Sequence, residues 1–89
     1  MNVLFKSSFA KDLRKIRDSD LMTRVKELIE QVEVAESLQN ITSIKKLRGR
    51  GRNYYRIRLA EYRIGLLVEG NSVTFVRCLD RKEIYRYFP

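Results

Sequence analysis

YYRIRLAEYRIGLLV, residues 54–68, is the stretch of sequence that decides the fold. Polar and apolar side chains alternate along residues 54–59, which is the two-residue period of a strand with one buried face. Residues 62–68 are predicted to form a second strand after a two-residue connection, and residues 73–79 a third after a turn at residues 69–72. Three consecutive strands joined by short turns predict an antiparallel meander.

The same alternation assigns the two faces of the meander. We expect Ile57, Leu59 and Ile64 to point towards the core, because a half-buried strand turns every second side chain inward. The opposite, open face then carries four polar side chains on neighbouring strands: Tyr54, Arg56, Arg58 and Arg63. The sequence therefore predicts a basic surface with an aromatic component on one side of the sheet.

Two helices are predicted ahead of the meander. After a short opening strand at residues 3–5, Ser7 or Ser8 can cap a helix that runs to Ile16. Along residues 19–35, apolar side chains recur at helical spacing and define one apolar stripe. Because a pair of helices alone buries little surface, we expect this hairpin to pack against the sheet.

These elements predict a fold of the α+β class, in which an N-terminal helical hairpin packs on one face of a small, mainly antiparallel β-sheet of about four strands. A short C-terminal helical turn follows. We expect a single domain over residues 1–89, since chains divide into several domains only at greater length. No apolar run approaches the ~20 residues that span a bilayer, and the N-terminus lacks the features of a signal peptide. The prediction is a cytoplasmic protein without membrane contact.

The net charge of +8 is concentrated in the second half of the chain. Residues 1–44 carry seven basic and seven acidic side chains, whereas residues 45–89 carry twelve basic and four acidic ones. Nine of those twelve are arginines, whose planar fork of donors suits phosphate better than the point charge of lysine. This distribution favours a polyanionic partner, and the alternative is a solvated basic surface that binds nothing.

Candidate RNA-binding residues flank the meander. The segment Arg48-Gly49-Arg50-Gly51-Arg52-Asn53 combines glycines with arginines and is predicted to be a loop, either lying along a phosphate backbone or simply exposed. The predicted RNA-binding set is Lys45, Lys46, Arg48, Arg50, Arg52, Tyr54, Lys82 and Arg86. In the tail, Arg81 and Tyr85 are four residues apart, so a helical turn would place them side by side. From the residues alone, Tyr85 is either catalytic or, more commonly for such a residue, packed.

Metal, cofactor and thiol chemistry are not expected. The chain has no histidine and one cysteine, and its carboxylates are scattered, so no set of residues has metal-ligand spacing. Cys78 lies in an apolar run and is interpreted as a core residue rather than a nucleophile.

In order along the chain, Lys46-Leu47-Arg48-Gly49, Tyr55-Arg56-Ile57-Arg58, Tyr62-Arg63-Ile64 and Arg81-Lys82-Glu83-Ile84-Tyr85 resemble motifs of the RelE/ParE superfamily of bacterial toxins. Each motif alone is weak, but together they extend the resemblance nearly end to end. The resemblance implies a four-stranded antiparallel sheet with two helices on one face and a concave basic surface for mRNA in the ribosomal A site. It also implies an antitoxin partner whose helical segment covers the toxin or displaces its C-terminal turn.

For the RelE branch, the resemblance implies metal-free RNA cleavage in which the ribose 2′-oxygen attacks the adjacent phosphate. The catalytic residues carried over by position are Arg56, Arg58, Arg63, Arg81 and Tyr85. Many members have histidine before the closing arginine, where this chain has Asp80. Arginine and tyrosine both hold their protons at pH 7, so Asp80, Glu83 or an activated Tyr85 could accept the proton. The alternatives are a ParE-like gyrase inhibitor without nuclease activity and a non-catalytic RNA-binding module.

Overall fold

A five-stranded mixed sheet runs through the computed structural model, which describes residues 1–48 and 51–89. The strands are β1 (Asn2–Phe5), β2 (Ile44–Lys46), β3 (Tyr54–Leu59), β4 (Tyr62–Glu69) and β5 (Ser72–Asp80). Their order across the sheet is β1-β5-β4-β3-β2. Only the β1–β5 pair is parallel in the part of the chain described, and the remaining three pairs are antiparallel.

The helices are α1 (Ser7–Arg14), α2 (Ser19–Val34) and the short α3 (Ile84–Tyr87), with a single 3₁₀ turn at Leu38–Asn40. The predicted α+β class, the helical hairpin, the mainly antiparallel sheet and the C-terminal turn are confirmed. None of the described helices is both long and apolar enough to cross a bilayer.

The sheet has one strand more than the predicted four. The additional strand, β2, is three residues long and pairs with β3 through the register Ile44↔Ile57 and Lys45↔Arg56. Three residues are too few for a two-residue period to be recognised in the sequence. The strand forms because β3 supplies the backbone groups with which it pairs. Its consequence for function is that it places Lys45 beside Arg56.

The core lies between the helical hairpin and one face of the sheet, as the alternation predicted. Ile57 of β3 and Ile64 of β4 are directly paired and almost completely buried. From the helices, Phe9, Val25 and Val32 pack against the same face. Burying these side chains stabilises the fold by roughly 1.5 to 3 kcal/mol each.

The start of α1 differs from the prediction. The capping position is Lys6, whose side chain forms no capping hydrogen bond, so neither Ser7 nor Ser8 is the cap. Instead, the Ser8 hydroxyl donates to the Val76 carbonyl at 2.6 Å. A carbonyl on the free edge of β5 competes successfully for this hydroxyl, which sequence alone does not reveal. The cap of α2 is Asp18, whose carboxylate accepts from the backbone N–H of Asp20 and Leu21.

Asp12 is a buried carboxylate that joins α1 to β5. It accepts hydrogen bonds from Arg77 Nε at 2.8 Å, Arg77 Nη2 at 3.0 Å and the Cys78 backbone N–H at 2.9 Å. Pairing of β1 with β5 ends at Phe5↔Phe75, so the edge of β5 beyond that point needs other partners. Ser8 and Asp12, one helical turn apart, supply them. The bidentate pair holds the pKa of Arg77 above its usual range.

We expect Asp12→Ala to destabilise the protein by roughly 3 kcal/mol, because it leaves Arg77 and a buried N–H without their acceptor. Urea unfolding followed by circular dichroism measures the change. Lys11→Ala, at the exposed neighbouring position of the same helix, is the control and should change the free energy of unfolding by less than about 0.5 kcal/mol. Equal effects of the two substitutions would show that the Asp12 contacts contribute nothing.

Cys78 is a core residue, as interpreted from the sequence, with 1% of its surface exposed. Burial, together with the nearby negative charge of Asp12, raises the pKa of its thiol from 9.0 to about 12. A thiolate is the nucleophilic form of cysteine, so this side chain stays protonated and unreactive at neutral pH.

The raised pKa predicts a loss of stability at high pH. Above about pH 9 the unfolded chain releases the thiol proton while the folded protein keeps it, up to about pH 12. The free energy of unfolding should then fall by about 1.4 kcal/mol per pH unit from this group alone. Cys78→Ala, which removes the thiol, should give a shallower profile between pH 9 and 12 and a profile of the same slope below pH 9. Parallel profiles would contradict the assignment, and tyrosine and lysine titration cancels in the comparison.

Candidate functional site

A groove on the open face of the sheet gathers the basic side chains predicted from the alternation. Arg58 and Arg63 are directly paired across β3 and β4, and Arg56 lies two residues along β3 on the same face. The groove has a volume of about 380 Å³ and is lined by Ser43, Ile44, Lys45, Arg56, Arg58, Arg63 and Tyr85. Four cationic groups therefore border one concave space.

A second concavity adjoins the first, since Lys45, Arg56 and Tyr85 line both. Its volume is about 480 Å³, and its remaining lining residues are Lys46, Leu47, Arg48, Phe88 and Pro89. We call the two together the basic groove. Their lining residues, all in the described part of the chain, include six cationic side chains and no acidic side chain. Such an arrangement of like charges creates a positive potential that attracts a polyanion.

Tyr85 stands at the junction of the two concavities. It is 69% exposed, so the alternative in which it packs into the core is wrong. The guanidinium carbon of Arg56 lies 4.6 Å from the centre of its ring, a distance at which a cation and an aromatic face attract each other. Arg56 thus orients the ring while both groups remain accessible from the groove.

Arg63 is held in place by its own turn. Its Nη1 donates to the Ala60 carbonyl at 3.0 Å and to the Tyr62 carbonyl at 2.9 Å. These bonds use the carbonyls of the β3–β4 connection, where Ala60 has a positive φ of 54°. A guanidinium fixed in this way keeps its other donors directed without reorganisation when an anion binds.

Arg81 is not placed beside Tyr85 by a helical turn, and that prediction is wrong. Helix α3 begins at Ile84, and Arg81 lies in the turn before it. Its Nε pairs with Glu61 Oε2 at 3.1 Å, and its backbone N–H donates to the Glu61 carbonyl. Both side chains are more than half exposed, so the pair is weak and an incoming phosphate can replace the carboxylate at small cost.

The remaining predicted RNA-binding residues are divided among three places. Lys45, Lys46 and Arg48 line the basic groove. Arg52 and Tyr54 border a different concavity beside β1, where Arg52 pairs with Glu69 at 2.9 Å. That hydrogen-bonded pair raises the pKa of Arg52. Lys82 and Arg86 are exposed near α3. Arg50 lies outside the described residues.

The two carboxylates suggested as proton acceptors do not line the groove. Asp80 Oδ1 accepts from the Lys82 backbone N–H at 2.8 Å and closes the turn that follows β5. Glu83 lies at the capping position of α3. Within the described residues, no group of three His, Cys, Asp or Glu side chains is arranged to hold a metal ion.

Sequence reasoning missed three contributors to this site. Ser43 and Ile44 line the groove because the unrecognised strand β2 brings them there. Glu61 neutralises Arg81, a pairing between two exposed turns that no short-range pattern indicates. Nothing in the sequence indicates the position of Ser43 either, since its positive φ of 60° is a property of the folded turn.

The chain is similar in sequence to known toxins. Residues 3–85 match the family described as the ParE toxin of the type II toxin-antitoxin system, parDE. Toxin RelE3 of Methanocaldococcus jannaschii is 44% identical over 90 residues, and the alignment covers all of both chains.

The fold is also similar to that of solved toxin structures. The toxin in the RelB-RelE antitoxin-toxin complex from Methanococcus jannaschii superposes with a TM-score of 0.82 at 42% identity, over 97% of this chain and 99% of that one. A chain of the archaeal RelE-RelB complex from Pyrococcus horikoshii OT3 superposes with a TM-score of 0.74 at 23% identity, over 90% and 93% of the two chains. The Staphylococcus aureus YoeB dimer gives 0.72 at 22% identity, over 89% and 94%. The last two are evidence for the fold alone.

Proposed function

This chain belongs to the ParE/RelE family of type II toxins, and from that premise we propose that it is a RelE-like endoribonuclease that cleaves mRNA in the ribosomal A site. It would act as a single toxin domain over residues 1–89, in the cytoplasm, without metal or cofactor. Cleavage of the message would stop translation.

The observation that supports this proposal is the basic groove with an exposed tyrosine at its centre. Arg56, Arg58 and Arg63 come from two adjacent strands and border one concavity with Tyr85. A toxin of the same fold that acted through another part of its surface would not need so many like charges in one groove. Their mutual repulsion lowers the stability of the folded protein.

The proposed reaction needs no bound metal. The 2′-oxygen attacks the adjacent phosphorus, the bond from phosphorus to the 5′-oxygen breaks, and a 2′,3′-cyclic phosphate and a 5′-hydroxyl result. Negative charge increases on the phosphate oxygens in the transition state, and Arg56, Arg58 and Arg63 are positioned to stabilise it. Oriented donors of this kind contribute about 10²- to 10³-fold in rate for each one lost.

Proton transfer is assigned to Tyr85. A proton leaves the 2′-hydroxyl and another is gained by the departing 5′-oxygen, and Tyr85, which lines the groove beside Arg56, carries the hydroxyl that would transfer them. The ring can also stack on a nucleobase, since its face and its hydroxyl are both accessible. Acid–base participation and stacking are distinguishable by substitution, as set out below.

Ribosome dependence follows from the chemistry of these groups. Arginine and tyrosine are poor bases at neutral pH, so the intrinsic reaction on flexible RNA should be slow. Holding the 2′-oxygen in line with its leaving group is worth several kcal/mol. A ribosome that fixes the message in the A site would supply this alignment.

A cognate antitoxin is the proposed protein partner. The solved relative at 42% identity is the toxin of a complex with the antitoxin RelB. The net charge of +8 suits an acidic segment lying along or near the basic groove. Affinity should weaken as salt rises wherever the paired charges stay exposed.

A ParE-like gyrase inhibitor is the second candidate. The matching family is described as ParE toxin, and Asp80 stands where many RNA-cleaving relatives have histidine. A non-catalytic RNA-binding module would use the same groove without cleavage. Primer extension on a defined mRNA, with and without programmed ribosomes, combined with a gyrase supercoiling assay, separates all three.

We expect cuts that depend on the ribosome, and we expect Tyr85→Phe to lower their rate by about 10²- to 10⁴-fold if the hydroxyl transfers a proton. Tyr87→Phe, which removes the neighbouring exposed hydroxyl of α3, is the matched control and should cleave normally. If Tyr85→Phe is active and Tyr85→Ala is not, the ring acts by stacking. Intact message with inhibited supercoiling would move the protein to the ParE branch.

The arginines should differ in importance. Arg58→Ala is expected to reduce the single-turnover cleavage rate by about 10²- to 10³-fold, because Arg58 faces the groove directly. Arg81→Ala should cost less, since Arg81 is engaged by Glu61 and must leave it to reach a phosphate. An Arg81→Ala defect as large as that of Arg58→Ala would place Arg81 at the phosphate during the reaction.

A further inference from the structure

Gly65 occupies the middle of β4 on the open face, with an ordinary backbone conformation and no turn to explain it. Its neighbours along the strand, Ile64 and Leu66, point into the core and are completely buried. Position 65 has no space for a side chain. A β-carbon there would lie 2.6 Å from two ring carbons of Phe88, far inside van der Waals contact. The Phe88 ring therefore rests directly on the glycine backbone.

A second contact, with Tyr54, holds the Phe88 ring from the side. Phe88 is 6% exposed and meets Tyr54 of β3 edge-to-face, with ring centres 5.5 Å apart and an interplanar angle of 87°. Aromatic pairs favour this arrangement because the positive edge of one ring meets the negative face of the other. The Phe88 backbone N–H donates to the Ile84 carbonyl at 2.9 Å, so the ring is rigidly connected to α3.

Gly65 lies in a row of three residues that runs across the sheet. The strand register pairs it with Arg56 on one side and Arg77 on the other. Each of these arginines contacts one tyrosine of α3. The Arg56 guanidinium lies 4.6 Å from the ring centre of Tyr85, and the Arg77 guanidinium lies 5.6 Å from that of Tyr87. The three rings of the C-terminal segment thus sit on three adjacent positions of one row, with the glycine at its centre.

We propose that Gly65 is a positioning residue: by admitting the Phe88 ring to the sheet surface, it fixes α3 at the depth that places Tyr85 over Arg56 in the basic groove. The consequence for cleavage rests on the proposed nuclease function, whereas the placement of the ring does not. Gly65 itself lines neither concavity of the basic groove, and it acts on the groove through Phe88, which does line it.

A methyl group at position 65 would lift the Phe88 ring by about 1 Å, the difference between 2.6 Å and an ordinary carbon–carbon contact of ~3.5 to 4.0 Å. Since Phe88 directly follows α3 and its backbone N–H is bonded to the Ile84 carbonyl of that helix, Tyr85 would move with it. A misplacement of ~1 Å in an active site can cost about 10²-fold in rate. The expected effect is on the rate of the bound complex rather than on binding.

The first test is structural and independent of any activity. In protein labelled with 3-fluorotyrosine, the ¹⁹F resonance of Tyr85 is assigned by its disappearance in Tyr85→Phe. Gly65→Ala should shift that resonance towards its position in Arg56→Ala, in which the cation over the ring is gone. An unchanged Tyr85 resonance in folded Gly65→Ala would overturn the proposal. Should Gly65→Ala not fold, Phe88→Ala decides the question by the same resonance, because it removes the ring that holds the turn.

The second test is a double-mutant cycle in ribosome-dependent cleavage. Gly65→Ala should lower kcat about 10²-fold and leave KM and binding to ribosomes unchanged. Because Gly65 acts through Phe88, adding Gly65→Ala to Phe88→Ala should produce no further loss. Losses that multiply, or a lowered affinity with unchanged kcat, would overturn the positioning role. A wild-type protein that cleaves nothing would contradict the nuclease function, while the fluorine resonance would still decide the placement of Tyr85.

Discussion

The buried carboxylate of Asp12 is the interaction on which the arrangement of the other elements depends. It joins α1 to β5 through three donors, two on Arg77 and one on the Cys78 backbone. Burying a charge of this kind is unfavourable unless paired and hydrogen-bonded, and here both conditions are met. Arg77 also lies under the ring of Tyr87, so the same arginine connects the helical hairpin on one side of the sheet to α3 on the other. One carboxylate thereby links core and site.

The separation of apolar and cationic faces follows from the same sheet. The hairpin covers one face and buries Ile57, Ile64 and Leu66, which leaves the other face available for the positively charged groups. Individual contacts hold two of those groups in place: backbone carbonyls for Arg63 and a tyrosine ring for Arg56. Neither contact neutralises charge, so the field in the groove is retained. The buried apolar side chains of the covered face stabilise the fold, and the repulsion between cationic groups on the open face destabilises it.

The sequence predicts those elements in which apolar side chains recur at a regular spacing. The two-residue alternation predicts β3 and β4 with their faces, and it predicts that Arg56, Arg58 and Arg63 share one face, as the strand register confirms. Features without a period were missed or misjudged. β2 is too short to alternate. The sequence offers Ser7 or Ser8 as a helix cap, although Ser8 bonds a strand edge, and its four-residue spacing predicts Arg81 beside Tyr85, although Arg81 pairs with Glu61. Each of these is decided by a partner distant along the chain.

The glycine at position 65 illustrates why part of the site lay beyond sequence reasoning. A glycine within a strand usually weakens it, and its typical explanations are a bulge or a close approach of another group. The second explanation holds here, because the Phe88 ring closes on the glycine, whereas the neighbouring bulge places its extra residue, Val76, in the partner strand β5. Phe88 is 23 residues away, and only the folded sheet brings the two together. The tail therefore acquires a defined position from contacts on the sheet, because a helix of four residues has too few hydrogen bonds to be stable alone. The geometry of the basic groove in so small a protein then depends on where the sheet has room for an aromatic ring, as much as on which charged residues the sheet carries.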